Sequence, residues 1–250
     1  MRAWRRWTTT TPTAAAPISP AIPNSFSQRI GRTVRAVNPT YADRPSAISL
    51  DEAASITRSG DVWLFTGRKL ADRAIRAATN SPVNHVAMVL AIDDLPPLLW
   101  HAELGRSMVD VWTGELQRGA QLHRLTEAAD TWVNRYGQRA FLRQLDPDVS
   151  AAMENAALGV VQELSGRRFP TTLGLVGHWL KGRARRSVSL EDIYCAELVA
   201  LTYQRMGLLD DARPLNWYDP GRFWSGDRLQ LAGGARLGPE IAVDVPFRPR

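Results

Sequence analysis

The segments HVAMVLAI (residues 85–92) and LLWHAEL (residues 98–104) decide the fold of this chain. Both are short and almost wholly apolar, and the valine and isoleucine of the first favour a buried strand. A tight turn between them would make an antiparallel pair in which residue numbers summing to about 186 or 187 face each other. Because an even number of positions separates His85 from His101, we expect both histidines on one face of the pair.

Outward from this pair, the sequence predicts further strands and helices in mixed order. Strands are predicted at VWLFTG, directly after the turn Ser59-Gly60-Asp61, at residues 107–112 and 122–125, and once or twice near the end of the chain. Helices are predicted at residues 50–57, 68–79, 149–164 and 194–209. Residues 167–189 follow no recognisable pattern. This order predicts an α+β fold with a strand-rich middle.

Length and composition set the domain organisation. The chain has 250 residues, of which 44% are hydrophobic, so it can bury a substantial core. Threonine, proline and alanine dominate its start, which predicts a disordered or leader-like tail over residues 1–45 and a single domain over 46–250. No apolar run is long enough for a membrane helix, and no leucine-rich run follows the basic start. We therefore expect a cytoplasmic or peripheral cell-envelope protein without a conventional secretory signal.

The charge is positive but selects no partner. The formal net charge is +6, and only Lys69 and Lys181 among the 31 basic residues are lysine. The arginines are scattered rather than aligned along one helix with interleaved aromatic residues, so nucleic acid is not the expected partner. The basic segment 181–186 is either a solvated surface or a contact for anionic lipid or cell-wall polymer.

Cys195 is the only cysteine, which excludes an internal disulfide and a multi-cysteine zinc site. We predict neither a bound metal nor a cofactor. Cys195 stands in the first turn of the helix predicted at 194–209, where backbone N–H groups and the helix dipole stabilise a thiolate. The preceding acidic residues Glu191 and Asp192 oppose this effect, so a reactive thiolate needs a nearby cation. On position alone, a reactive nucleophile and an inert buried thiol are equally favoured.

The histidines supply candidate partners for that thiol. A single histidine in a buried strand is more often a hydrogen-bonded core residue than a catalyst. A pair on neighbouring strands, however, suits a base at His85 oriented by His101, with Glu103 as the reserve for the orienting role. His123 and His178 have no evident partner in the sequence and are interpreted as structural or surface residues.

Four segments in order carry a family resemblance: GDVWLFTG, SPVNHVAMVL, LLWHAEL and YCAELVALTY. The chain resembles the circularly permuted papain-like amidases of the NlpC superfamily, in their YiiX-like branch, over roughly residues 59–209. In that family the histidine strand precedes the cysteine helix, and the resemblance implies an antiparallel sheet or barrel packed against that helix. Ala196 stands where serine is common. His101 stands where this branch usually carries glutamate, although unpermuted relatives carry histidine there.

The resemblance implies a cysteine peptidase or amidase that uses Cys195, His85 and His101. Cys195 would attack a peptidoglycan-type or γ-glutamyl amide and form a thioacyl intermediate, with His85 as base. Tyr194 is a possible wall of the site. One alternative is a lipid acyl hydrolase or acyltransferase with the same triad. The other is a papain-like domain that binds a peptide or lipid without turning it over.

Overall fold

The structure, a computed structural model, describes residues 47–67, 81–103, 107–165, 190–227 and 229–247, with the backbone alone at 190–194 and 227. The strands in these ranges are β1 (Ile48–Ser49), β2 (Val62–Thr66), β3 (His85–Leu90), β4 (Leu98–Glu103), β5 (Gly119–Arg124), β6 (Arg139–Arg143), β7 (Leu145–Asp146), β8 (Arg236–Leu237) and β9 (Ile241–Asp244). The α-helices are α1 (Leu50–Ile56), α2 (Leu125–Asp130), α3 (Ala151–Leu164) and α4 (Leu190–Arg205). A π-helical turn over Thr131–Arg135 continues α2.

Seven strands form one sheet in the order β1-β9-β6-β2-β3-β4-β5. Neighbouring strands are antiparallel except for β1 and β9, which are parallel. β7 and β8 form a separate antiparallel pair. The sheet and the four α-helices of the described ranges confirm the α+β class, and the predicted hairpin of β3 and β4 lies toward the β5 edge of the sheet.

The sheet separates two layers of apolar core, because successive residues of a strand point to opposite faces. α4, with α3 beside it, packs on the face that carries Leu64, Met88 and Trp100. α1, α2 and the π-helical turn cover the face that carries Phe65 and Val89. All residues of β2 and β3 are buried, which explains why these strands read as continuous apolar runs rather than alternating ones.

The turn that begins β2 is held by the buried carboxylate of Asp61. Its two oxygens accept hydrogen bonds from the backbone N–H groups of Arg58 at 2.8 Å and Leu145 at 2.7 Å. Gly60 adopts a φ of 86°, a left-handed conformation that glycine tolerates best. The Gly-Asp pair therefore joins the start of β2 to the first residue of β7, which explains its place before the first long strand.

The predicted strand at residues 107–112 is wrong. That segment is a turn, because the buried side chain of Asp110 accepts hydrogen bonds from the backbone N–H groups of Thr113 at 2.7 Å and Leu122 at 2.6 Å. These bonds fold the chain back onto β5, whose range is longer than the predicted 122–125. The helix predicted at 194–209 begins four residues earlier and ends at Arg205, close to Gly207 as expected.

The predicted tail over residues 1–45 and the predicted helix over 68–79 lie outside the described residues, as does the basic segment 181–186. Within the described ranges, none of the helices combines the length and apolar character needed to cross a bilayer. The residues that bear on function lie around β3, β4 and the neighbouring β5.

Candidate functional site

His85 and His101 meet on one face of the sheet, as the parity of their positions predicts. Met88 lies opposite Trp100, so facing residue numbers sum to 188 rather than 186 or 187. His101 is therefore opposite Ala87 and diagonal to His85. The two imidazole rings have centroids 5.3 Å apart and are nearly perpendicular, with an interplanar angle of 80°.

Trp132 covers both histidines, a contact that was not predicted from the sequence. Its ring centroid lies 4.6 Å from that of His85 and 4.7 Å from that of His101, with an edge-to-face arrangement in each case. Trp132 belongs to the π-helical turn after α2. The spacing of Leu125, Ala128, Ala129 and Trp132 is that of one helical face, so this periodicity could have revealed the helix.

His123 is a third member of the cluster, so the expectation that it has no partner is wrong, and of the two predicted positions, structural or surface, it does not take the surface one. His123 Nδ1 lies 2.8 Å from Nε2 of His101, and both side chains are buried. The partner was hidden in the sequence because β5 begins earlier than predicted and pairs with β4 so that His123 faces Leu99. His178 lies outside the described residues.

Burial keeps these imidazoles neutral. It lowers the pKa of His85 to about 3. Burial also lowers the pKa of His101 well below its usual value, and the neighbouring His123 and His85 add to the effect. The pKa of His123 is lowered by burial as well, although the nearby carboxylate of Asp110 opposes this shift. At neutral pH each ring therefore offers one N–H donor and one nitrogen lone pair.

Several nitrogens of the cluster lack a hydrogen-bond partner within the described part of the chain. They are Nε2 of His85, Nδ1 of His101 and Nε2 of His123, and each is buried. An unsatisfied buried polar atom costs free energy of about 1–3 kcal/mol. Such a concentration of unpaired nitrogens is unusual in a core and favours a functional interpretation of the cluster.

Cys195 is fully buried, but on the other face of the sheet. It belongs to the apolar layer between the sheet and α4, together with Val86 and Ala102. The three histidines project from the opposite face, toward Trp132. The structure thus brings His85 and His101 together and does not bring Cys195 into the same layer.

Cys195 nevertheless lies at the same end of the sheet as His85. Trp100, opposite Met88, donates a hydrogen bond from Nε1 to the Thr202 hydroxyl at 3.1 Å. The next residue, Tyr203, donates from its hydroxyl to the carbonyl of Gly60, whose N–H donates to the carbonyl of Val89, so the later part of α4 lies toward the end of β3 and Cys195 toward its start. Seven helical residues from Thr202 back to Cys195 cover about 10 Å. Three strand residues from Met88 back to His85 also cover about 10 Å.

Glu103 lies on the histidine face of β4, two residues beyond His101. It is half-buried, and the Ser107 hydroxyl donates to its two carboxylate oxygens at 3.0 and 3.1 Å. One potential ligand atom from each of His101, Glu103 and His123 lies within 4.8 Å of the others. Among the described residues, these three form a group that could hold a metal ion. The side chain of Tyr194 lies outside the described residues.

Comparison with known proteins gives little beyond a partial structural likeness. No family profile and no curated protein sequence matches the chain. The crystal structure of the metalloprotein YiiX from Escherichia coli O157:H7 is similar over 64% of this chain and 78% of that chain, with 18% sequence identity and a TM-score of 0.38. The likeness is partial, and metal binding is said here of YiiX alone.

Proposed function

We propose that this protein is a cysteine-dependent acyl hydrolase that cleaves amide bonds of peptidoglycan-type or γ-glutamyl peptides. The observation that carries the proposal is the contact of His85 with His101 at the end of the sheet that the first turns of α4 reach. His85 is the first residue of β3, so its imidazole stands at a strand end. The proposal requires the Cys195 thiol, which lies in the other layer, to reach His85 past this end of the strand. The papain-like resemblance of the sequence agrees with this assignment.

In the proposed reaction, His85 accepts the Cys195 thiol proton as sulfur attacks the carbonyl carbon. The carbonyl oxygen takes up negative charge, and a backbone N–H at the start of α4 stabilises it. His85 then gives its proton to the leaving amine, and the C–N bond breaks to leave a thioester. His85 next activates water, which releases the acid and restores the thiol. His101 orients the His85 ring and touches no substrate.

Burial of His85 also shapes this proposal. With a pKa of about 3, the imidazole is neutral at pH 7 and ready to act as a base. An imidazolium at His85 would form only after it receives the thiol proton. We therefore expect Cys195 to act as a thiol activated during attack rather than as a resting thiolate–imidazolium pair.

The same residues could act on a lipid ester, and the formal net charge of +6 is compatible with an anionic lipid surface. A third possibility is a domain that binds a peptide or lipid without turnover. Substrates separate these three functions: amine release from short muropeptides indicates the amidase, and fatty-acid release from anionic vesicles indicates the lipid enzyme. Binding of either substrate without product indicates the third.

The test uses the full chain and three substitutions. C195A should abolish product release, and H85N should reduce kcat by at least about 100-fold, the lower end of the contribution of general acid–base catalysis. R205A is the matched control, because Arg205 is exposed at the opposite end of α4, where it pairs only loosely with Glu163 at 3.7 Å. Product release that survives C195A unchanged would refute the nucleophile, and unchanged kcat in H85N would refute the base.

A further inference from the structure

The strongest further feature is the facing pair of nitrogens, His101 Nε2 and His123 Nδ1. They lie 2.8 Å apart in a buried layer. If the two rings share one proton between these nitrogens, one ring must turn its own proton outward. The outward nitrogens, Nδ1 of His101 and Nε2 of His123, have no hydrogen-bond partner among the described residues. A shared proton can bridge the facing nitrogens only if one ring donates and the other accepts, whereas a cation between them can bind the lone pairs of both neutral rings.

A carboxylate stands beside this pair on the same strand. Glu103 follows His101 by two positions, so both side chains project from the same face of β4. Its carboxylate is held by the Ser107 hydroxyl, which fixes a negative group next to two neutral rings. All three ligand atoms lie within 4.8 Å of one another.

A fourth polar group lies close by. Gln121 faces His101 across the β4–β5 pair, so its side chain is on the histidine face. Its amide nitrogen points to backbone carbonyls of Glu103 at 3.3 Å and Gly119 at 3.4 Å. Its amide oxygen is buried and has no partner in the described part of the chain. Gln121 thus adds an unused acceptor beside the two imidazoles.

We propose that His101, His123 and Glu103 bind a divalent transition-metal ion. Two imidazole nitrogens and one carboxylate oxygen are a donor set that suits ions such as Zn²⁺ and leaves one or more positions open for water or the Gln121 oxygen. Bonds of about 2.0–2.1 Å to zinc would need the facing nitrogens about 3.3 Å apart in a tetrahedral site. The nitrogens need to move apart by only about half an ångström, and Glu103 needs a side-chain rotation.

The metal site goes beyond the proposed hydrolase: it shares His101, the orienting residue, but uses neither Cys195 nor His85 as a ligand. The two ideas can therefore fail separately. Loss of metal binding with retained amide cleavage would overturn the site alone, and metal binding without cleavage would overturn the hydrolase alone.

The experiment titrates chelator-treated full-length protein with Zn²⁺ by calorimetry and records the visible spectrum with Co²⁺. The wild-type protein should bind one Zn²⁺ per chain, and Co²⁺ should give a spectrum of nitrogen and oxygen ligands without a sulfur charge-transfer band. H123Q should weaken affinity by more than about 100-fold, because even the loss of an outer partner of a metal ligand costs roughly 10–100-fold. E103Q should also weaken binding. H85N and C195A, the matched controls, should bind within a few-fold of the wild-type protein.

Three outcomes would overturn the site: no stoichiometric Zn²⁺ binding to the wild-type protein, equal affinity in H123Q, or loss of binding in C195A. An NMR measurement on the wild-type protein alone makes the test independent of how the variants fold. Zn²⁺ should shift the ring-nitrogen NMR signals of two of the four histidines strongly, and those two should be His101 and His123. Shifts confined to other histidines would also overturn the proposal.

Discussion

Replacing Asp61 with asparagine should remove a pH dependence from the stability of this protein. The Asp61 carboxylate is fully buried at the start of β2. Burial raises its pKa from 3.8 to about 6. Hydrogen bonds from the backbone N–H groups of Leu145 and Arg58 and the positive charge of Arg58 act in the opposite direction and only partly offset burial.

The sign follows from proton binding in the two states. Between about pH 4 and pH 6 the folded protein keeps a proton on Asp61 that the unfolded chain has released. Stability from this group is therefore fully present below pH 4 and is lost as the pH rises through about 6. A shift of about two pKa units corresponds to about 3 kcal/mol, at 1.36 kcal/mol for each unit.

The D61N variant resembles the protonated carboxyl at every pH. Its amide oxygen can replace only one of the two acceptors, so we expect a constant cost of about 1–3 kcal/mol for the N–H group left unpaired. The pH-dependent part disappears. The free energy of unfolding of the wild-type protein minus that of D61N should therefore fall by about 3 kcal/mol between pH 4 and pH 7.

Urea unfolding of both proteins, followed by circular dichroism at several pH values, measures this difference. D51N removes an exposed carboxylate from the first turn of α1 and serves as the control for loss of one charge. A difference that stays flat across the range would refute the raised pKa. A difference that grows with pH would show that the hydrogen bonds and Arg58 outweigh burial.

Three further substitutions test packing, the first over the histidine cluster and the other two elsewhere in the fold. W132A should lower the free energy of unfolding by about 3–5 kcal/mol in urea titrations, because the ring fills the buried space over both histidines. W132F should be closer to wild type. An effect of W132A below about 1 kcal/mol would contradict that packing. G60A should unfold at lower temperature by calorimetry, since the residue has a φ of 86° and its new Cβ would lie 2.7 Å from Leu145 Cδ2; an unchanged midpoint would contradict the strain. R143K should lower the free energy of unfolding by about 1–3 kcal/mol in urea titrations. The buried Arg143 guanidinium donates to three backbone carbonyls in residues 223–238, and lysine cannot span them. An unchanged free energy of unfolding would show those bonds to be dispensable.

The sequence predicted the parts of the fold that depend on local periodicity. The apolar runs at β2, β3 and β4, the helical spacing of α3 and α4, and the turn between β3 and β4 are properties of neighbouring residues. The contact of His85 with His101 was predictable for the same reason, a local periodicity. A strand alternates its faces with a period of two, so parity alone predicted a shared face although the assumed register was slightly off.

Other elements depended on distant partners. β6 is a five-residue strand with arginine at both ends, and its position between β2 and β9 makes it a strand. The turn at Asp110 forms because its carboxylate meets a backbone N–H group of β5. Neither contact leaves a periodic signal in its own segment.

The candidate site divides in the same way. Residue types and parity identified Cys195, His85 and His101 as candidates. They did not predict that His123 and Trp132 would contact these histidines. They also could not determine on which face of the sheet α4 would pack, because that choice depends on the burial of the whole sheet. Local chemistry determined which residues could react, and the tertiary packing decided that the histidines meet in one layer while Cys195 lies in the other.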